Sequence, residues 1–281
     1  MSYRELWRRL AKVYDEGEAK AIARMVYEVR YGLTLSDLLM GRDNEVPPQE
    51  LEQIALRLEQ QEPVQYVLGK AMFCNRSLMV NEHVLIPRPE TEELCRWVSL
   101  PLPSPKGEGA KILDIGTGSG CISITLAEMY PEAEVTAWDI SAEALQVAEE
   151  NARRTGVHVS FGLVDARHLT SDILHQTSGV FDIIVSNPPY ICNKERMMME
   201  QNVLDYEPHM AIFVPDDDPL LFYRSIATYG QTALKEGGWL YFEMNPLYAD
   251  DLRQMLCLMS YHDIETKKDQ YGKQRMIKAQ R

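Results

Sequence analysis

The sequence predicts an α/β fold: an open, mostly parallel sheet wrapped by helices, with a small helical bundle in front of it. Three observations lead there. From Ala110 onward, short and nearly continuous apolar runs alternate with stretches of helical periodicity, as expected of strands buried on both faces between crossover helices. The first of these runs ends in a glycine-rich turn, Asp114-Ile115-Gly116-Thr117-Gly118-Ser119-Gly120. The first sixty-odd residues, by contrast, show helical spacing alone. A hydrophobic share of 45% and a charged share of 25% are those of a globular protein, and 281 residues suffice for one large core and one small one.

In the predicted bundle, residues 1–63, apolar side chains recur at helical spacing over 4–14 and 18–31, where Ile22, Met25, Val26 and Val29 share a face. Thr34 and Ser36 offer capping hydroxyls after Leu33, and Pro47-Pro48 suits the first turn of a helix reaching about residue 61. Such a bundle is either a structural cap or a docking module for a macromolecule. Residues 64–90 read as a β-rich connector with a hairpin turning near Asn81-Glu82. Pro87 and Pro89 then impose extended backbone before a helix over 93–100 and a Pro/Gly/Ser loop over 101–109. In the remaining domain, 91–281, strands are predicted at Lys111–Ile115, 134–138, 158–163, Phe181–Ser186 and 239–242. A closing hairpin of 262–266 and 275–278 turns near Tyr271-Gly272.

The formal net charge is −13, and it is uneven: 12 Lys/Arg face 14 Asp/Glu through Glu90, but 17 face 28 from Thr91 onward. Affinity for nucleic acid rests on cations that neutralise phosphates, so no direct nucleic-acid partner is expected. No apolar stretch is long enough to span a membrane, and residues 1–10 lack a signal-peptide core. Five scattered cysteines without a CxxC pair, and six histidines without ligand spacing, point to reduced thiols, a cytoplasmic location and no metal.

The glycine turn allows close backbone approach of a ligand at a helix N-terminus. Dinucleotide-binding sheets have similar loops, so the turn alone decides little. Asp139, ending the second strand, can accept hydrogen bonds from ribose hydroxyls. Three features favour S-adenosylmethionine over NAD: the third glycine of GxGxxG is missing, Asp165 ends the third strand where it can accept from an adenine amine, and the fourth strand ends in Ser186-Asn187-Pro188-Pro189-Tyr190. Gly116, Thr117, Gly118, Ser119, Gly120, Asp139, Asp165, Ala166 and Asn187 are the predicted cofactor residues.

Methyl transfer from a sulfonium is an in-line displacement that needs alignment more than activation of the donor. The Asn187 side-chain carbonyl and the Pro188 backbone carbonyl can each accept one N–H of a planar NH2 group, which aims its nitrogen lone pair at the methyl carbon. Pro189 stiffens the turn, and Tyr190 offers a ring face to a planar acceptor. Asn187, Pro188 and Tyr190 are therefore the predicted catalytic residues, and Asn187, Pro188, Pro189 and Tyr190 the predicted substrate pocket. No general base is required.

These residues resemble the HemK/PrmC-type release-factor glutamine N5-methyltransferases. The resemblance spans nearly the whole chain, through Pro63-Val64-Gln65-Tyr66 with Gly69 and Phe73, Leu85-Ile86-Pro87-Arg88-Pro89-Glu90-Thr91-Glu92, the glycine turn, Asn151-Ala152, Asn187-Pro188-Pro189-Tyr190-Ile191 and Tyr206-Glu207-Pro208. It implies a Rossmann-like, seven-stranded class I methyltransferase domain joined by a β-hairpin to a helical domain that holds a peptide chain release factor. It also implies methylation of the glutamine in the Gly-Gly-Gln motif of that partner, with S-adenosylhomocysteine as product; a monomer is expected. Phe73 and the Arg88-Pro89-Glu90 segment would border the site. Three positions depart from the family pattern: Ala166 where a bulky residue is common, Met244-Asn245-Pro246-Leu247-Tyr248 after Glu243, and Asp216-Asp217-Asp218 in place of a glycine-rich turn. An adenine-N6 or rRNA amino-methyltransferase could use the same tetrapeptide, but would be expected to carry a basic face. A silent cofactor-binding scaffold would be expected to have lost part of the loop or tetrapeptide, and both are intact.

Overall fold

The computed structural model describes residues 1–98, 109–169 and 180–281, apart from the side chain of Asn44. It divides into two compact units, one made of Met1–Lys70 with Glu200–Tyr206 and the other of Ala71–Met199 with Glu207–Arg281.

In the smaller unit, helices α1 (Tyr3–Leu10), α2 (Glu16–Tyr31), α3 (Leu35–Leu39), α4 (Pro48–Glu59) and α5 (Val64–Leu68) follow one another. Ser2 and Glu5 form a reciprocal capping box at α1, Asp15 caps α2, and Thr34 caps α3 as its position predicts. Helix α1 is shorter than the 4–14 periodicity suggests, because residues 11–14 turn to bring Asp15 to the start of α2. Leu6, Leu10, Ile22, Ala23, Val26, Leu51, Ile54, Ala55 and Leu58 form its core. Residues 64–68 are helical rather than extended, since Pro63 opens a turn that Gly69 closes in the left-handed conformation.

The larger unit begins with the hairpin strands β1 (Lys70–Phe73) and β2 (Arg76–Met79). The hairpin turns at Cys74-Asn75, both at positive φ, and not at Asn81-Glu82. A two-residue loop with both φ positive matches the right-handed twist of the flanking strands. Helix α6 (Pro89–Val98) starts four residues earlier than predicted, because a proline fits the first helical turn. The predicted continuation of that helix to residue 100 and most of the loop to 109 lie outside the described residues.

The sheet then assembles from β3 (Lys111–Ile115), β4 (Glu134–Asp139), β5 (Ser160–Leu163), β6 (Phe181–Ser186), β9 (Leu234–Glu243), β10 (His262–Lys268) and β11 (Gln274–Gln280). A separate short pair, β7 (Ile191–Cys192) and β8 (Phe213–Val214), lies between β6 and β9 in the chain. The seven-stranded order is β10-β11-β9-β6-β3-β4-β5, with β11 antiparallel to both its neighbours and the other pairings parallel. Helices α7 (Cys121–Met129), α8 (Ala142–Thr155), α10 (Leu221–Ala233) and α11 (Ala249–Leu258) are also described, as is the short α9 (Gln201–Tyr206) of the smaller unit.

Strand side chains alternate between two cores. Ile112, Val135, Ile183 and Tyr241 face α6 and α7, where Phe73 and Leu78 of the hairpin also pack. Leu113, Ile184, Leu240 and Phe242 face Tyr223 and Ile226 of α10 and Leu252 and Leu256 of α11. Strand β3 is bordered by β4 on one side and β6 on the other. The chain order reverses there, and open α/β sheets bind ligands outside the carboxyl ends of the strands at such a point.

Candidate active site

A cavity of about 520 Å³ opens at the carboxyl ends of β3, β4 and β6, a volume suited to a small organic ligand. Gly116, Thr117, Gly118 and Ser119 line one side, Ile140 and Val164 another, and Asn187, Pro188 and Pro189 the end beyond β6. Gly116 and Gly118 are at positive φ, and a Cβ built on either meets nothing within 4 Å. Gly120 is different. It does not line the cavity, and a Cβ there would come within 3.0 Å of Ile124 and 3.1 Å of Ala148. Its glycine permits helix packing rather than ligand approach.

The loop is held by carboxylates. Asp139 accepts from Gly118 N at 2.8 Å and Ser141 N at 3.0 Å and lines the cavity. Burial pushes its carboxyl above the usual range, against the bonds from Ser141 and Gly118. Asp114 lies beneath, fully buried, accepting from Thr117 Oγ1 at 2.6 Å and Ser123 N at 3.2 Å through one oxygen. Asn151, on α8, accepts from Met79 N at 2.6 Å and donates to Met79 O and Ser119 O at 2.9 Å each. It thereby ties the hairpin to the glycine loop.

The turn after β6 is braced from further away. Ser186 Oγ donates to Ile115 O at 2.6 Å, fixing the end of β6 to β3. Asn187 Nδ2 donates to Thr91 Oγ1 at 3.2 Å, and Thr91 Oγ1 donates to Glu243 at 2.6 Å. Tyr190 donates to the other oxygen of Glu243 at 2.9 Å. Asn245 donates to Tyr190 O at 3.2 Å and to Glu195 at 3.0 Å. On the cavity's edge, Arg88 pairs with the buried Glu207, which also accepts from Ile86 N at 3.1 Å. Among the described residues, no cluster of three His, Cys, Asp or Glu side chains is arranged to hold a metal ion, and no helix is long and apolar enough to cross a membrane.

Residues 106–243 match the family model of a methyltransferase domain, and residues 3–69 that of the PrmC N-terminal domain. The chain is 44% identical over 275 residues to the release factor glutamine methyltransferase of Bacteroides thetaiotaomicron, covering 97% of this chain and 96% of that one. It is 42% identical over 276 residues to the enzyme of the same name from Flavobacterium psychrophilum, covering 96% and 94%. This chain belongs to the release factor glutamine methyltransferase family. Its sheet is that of class I methyltransferases: a human methyltransferase 10 domain containing protein superposes with a TM-score of 0.54 at 17% identity, over 73% of this chain and 88% of that one. A T. thermophilus 16S rRNA methyltransferase solved with AdoMet and guanosine gives 0.52 at 18%, over 75% and 49%.

In this family member, eight of the nine cofactor residues predicted from the sequence reach the cavity: Gly116, Thr117, Gly118, Ser119, Asp139, Asp165, Ala166 and Asn187. Pro188 and Pro189 join them. Gly120 and Tyr190 do not line it; the Tyr190 hydroxyl donates to Glu243. Phe73 is buried in the core, whereas Arg88 does border the cavity. Asp165 is engaged by Arg167, whose Nη2 approaches to 2.7 Å and backbone N to 2.9 Å, and by His168 at 3.0 Å. Arg167 holds that carboxyl well below the usual carboxylate range. The expected bond to an adenine amine therefore competes with an ion pair already made. Ser141, Thr91 and Glu243 were missed as site residues. Only Ser141 had a local signal, a hydroxyl immediately ahead of a helical stretch. The departures from the family pattern have local partners: Asp216 accepts from Lys194 N at 2.9 Å, and Asp218 pairs with Arg224 at 2.8 Å.

Proposed function

We propose that this chain transfers a methyl group from S-adenosylmethionine to the side-chain amide nitrogen of the glutamine in the Gly-Gly-Gln motif of peptide chain release factors, acting as a cytoplasmic monomer. One observation carries the reading. A single cavity joins a glycine loop backed by carboxylates to Asn187 and Pro188, in a chain that matches release factor glutamine methyltransferases over nearly all its length.

The residues fit this cofactor. Gly116 and Gly118 leave room against the backbone, and Asp139 puts a carboxylate on the wall that suits ribose hydroxyls and a cation. Val164, Ala166 and Ile226 supply apolar surface for a purine, with Ala166 too small to stack. When bound, the cofactor supplies an electrophilic methyl group on a sulfonium leaving group. The chain's own contribution is alignment. Asn187 Oδ1 and the Pro188 carbonyl accept the two N–H groups of the glutamine amide and favour pyramidal nitrogen as charge develops. The alkylated nitrogen, strongly acidic while cationic, loses its proton to water. Residues 1–63 serve as the docking module for the release factor.

The test is transfer of labelled methyl to purified release factor, to its variant with the motif glutamine substituted, and to duplex DNA. Label on the wild-type factor alone supports the reading. Label on DNA and none on the factor would transfer the assignment to an adenine amino-methyltransferase.

A further inference from the structure

We infer that Thr91 and Glu243 are positioning residues that decide which end of the Asn187 side-chain amide faces the acceptor. This deepens the reading above and rests on it. Glu243 ends β9 with a buried carboxylate, 2% exposed, that accepts Thr91 Oγ1–H on one oxygen at 2.6 Å and Tyr190 O–H on the other at 2.9 Å. Burial raises this carboxyl above its ordinary range, while the Thr91 and Tyr190 hydrogen bonds favour the charged form. In that form it has no proton to give, so the single hydroxyl proton of Thr91 is committed to Glu243. What Thr91 Oγ1 has left is a lone pair, and the Asn187 amide meets it at 3.2 Å. Only the NH2 end of an amide can donate to that lone pair.

The consequence lies at the other end of the amide. Asn187 and Thr91 both line the cavity, and among the described residues Asn187 Oδ1 has no protein partner. With Nδ2 turned to Thr91, Oδ1 is the atom presented to an incoming acceptor. A glutamine amide presents N–H groups from its nitrogen, so an acceptor oxygen aligns it, whereas a flipped Asn187 would set N–H against N–H. Asn and Gln amides look alike in shape, and the surrounding hydrogen bonds alone distinguish their ends. Tyr190 strengthens the device. Burial raises its phenol well above the usual range, so it is a donor to Glu243 and not a rival acceptor.

The relay spans the unit. Thr91 is on α6, Asn187 follows β6 and Glu243 ends β9, so Thr91 stands 96 positions from Asn187 and 152 from Glu243 in the chain. Substitutions separate a positioning role from a packing role. Thr91→Val keeps the shape and removes the hydroxyl; Thr91→Ser restores it. Glu243→Gln keeps the shape but can donate to Thr91, which then donates to Asn187 and favours the flipped amide.

With full-length protein and release factor, we expect kcat to fall about 10- to 100-fold in Thr91→Val and Glu243→Gln, the scale of a misplaced acceptor. Thr91→Ser should stay near wild type, and S-adenosylhomocysteine affinity should be unchanged in all three. Wild-type kcat in Thr91→Val, or equal loss in Thr91→Ser, overturns the inference. A second measurement does not depend on activity: hydrogen exchange of the Asn187 side-chain NH2, followed by NMR. It should be protected in wild type and Thr91→Ser and faster in Thr91→Val. Equal exchange in Thr91→Val and wild type overturns the orientation, even if the wild-type chain proves to methylate something other than a release factor.

Discussion

The glycine loop after β3 and the turn after β6 border the same cavity, and each rests on a buried carboxylate acting through a threonine at 2.6 Å. The carboxylates differ in where their partners come from. Asp114 is bonded by Thr117 and Ser123, three and nine residues further along the chain. Glu243 is bonded by Thr91 and Tyr190, 152 and 53 residues away. They differ also in completeness, since both oxygens of Glu243 are satisfied while Asp114 Oδ1 has no hydrogen-bond partner. The buried carboxylate under the cofactor half is thus engaged by its own stretch of chain, with Asp139 and Asn151 bracing the loop from the next strand and helix. The acceptor half takes shape only when α6, β6 and β9 are all in register.

Substitutions on the two sides should damage different steps. Asn187→Ala removes the acceptor oxygen, and turnover should fall by about 100-fold or more, the loss seen when one aligned polar group is removed from a reacting centre. Cofactor affinity, measured by calorimetry, should change little, because the glycine loop does not depend on Asn187. Unchanged turnover would end the alignment mechanism. Asp139→Asn should do the reverse. It weakens a carboxylate that holds Gly118 N and Ser141 N and faces the cavity. Cofactor affinity should drop about tenfold, the ~1.5 kcal/mol of one charged hydrogen bond. At saturating cofactor kcat should be largely retained. A kcat loss with unchanged affinity would mean that the halves are not separable.

The same division explains what was legible in the sequence. Local features were: the apolar runs located β3 and β6 to the residue, and glycine spacing located the loop. Thr34 and the Tyr271-Gly272 turn behaved as their residue types dictate. Features that depend on distant partners were not. Tyr190 looked like a ring for stacking because Glu243, which takes its hydroxyl, lies 53 residues away. Asp165 is a local exception: it was read as an acceptor for an adenine amine, and a strand pattern does not reveal that Arg167, two residues on, folds back on it. The hairpin turn was misplaced because Cys74-Asn75 carries no glycine, although its asparagine tolerates positive φ. Gly120 was read with its neighbours as a ligand contact, when Ile124 and Ala148 explain it.

The smallest effect expected is at Asp114, and it tests whether the loop brace needs a charge. Burial pushes this carboxyl from its ordinary 3.8 up to about 7, with the Thr117 and Ser123 hydrogen bonds opposing. A carboxyl raised on folding contributes stability that is fully present below pH 3.8 and is lost as pH rises through about 7. Asp114→Asn keeps an acceptor for Thr117 and Ser123 and places an NH2 where the unpartnered oxygen lies, but it cannot titrate. The melting temperature of the variant minus that of wild type should therefore increase between pH 5 and pH 8. The change should be a few degrees, at about 2–4 °C per kcal/mol for a domain of this size. A difference that does not move with pH would show that Asp114 does not titrate across this range. A matching experiment on Asp139→Asn, whose carboxyl is also raised but lies on the cavity wall, should lose its pH dependence when S-adenosylhomocysteine is bound, whereas Asp114 beneath the loop should keep it.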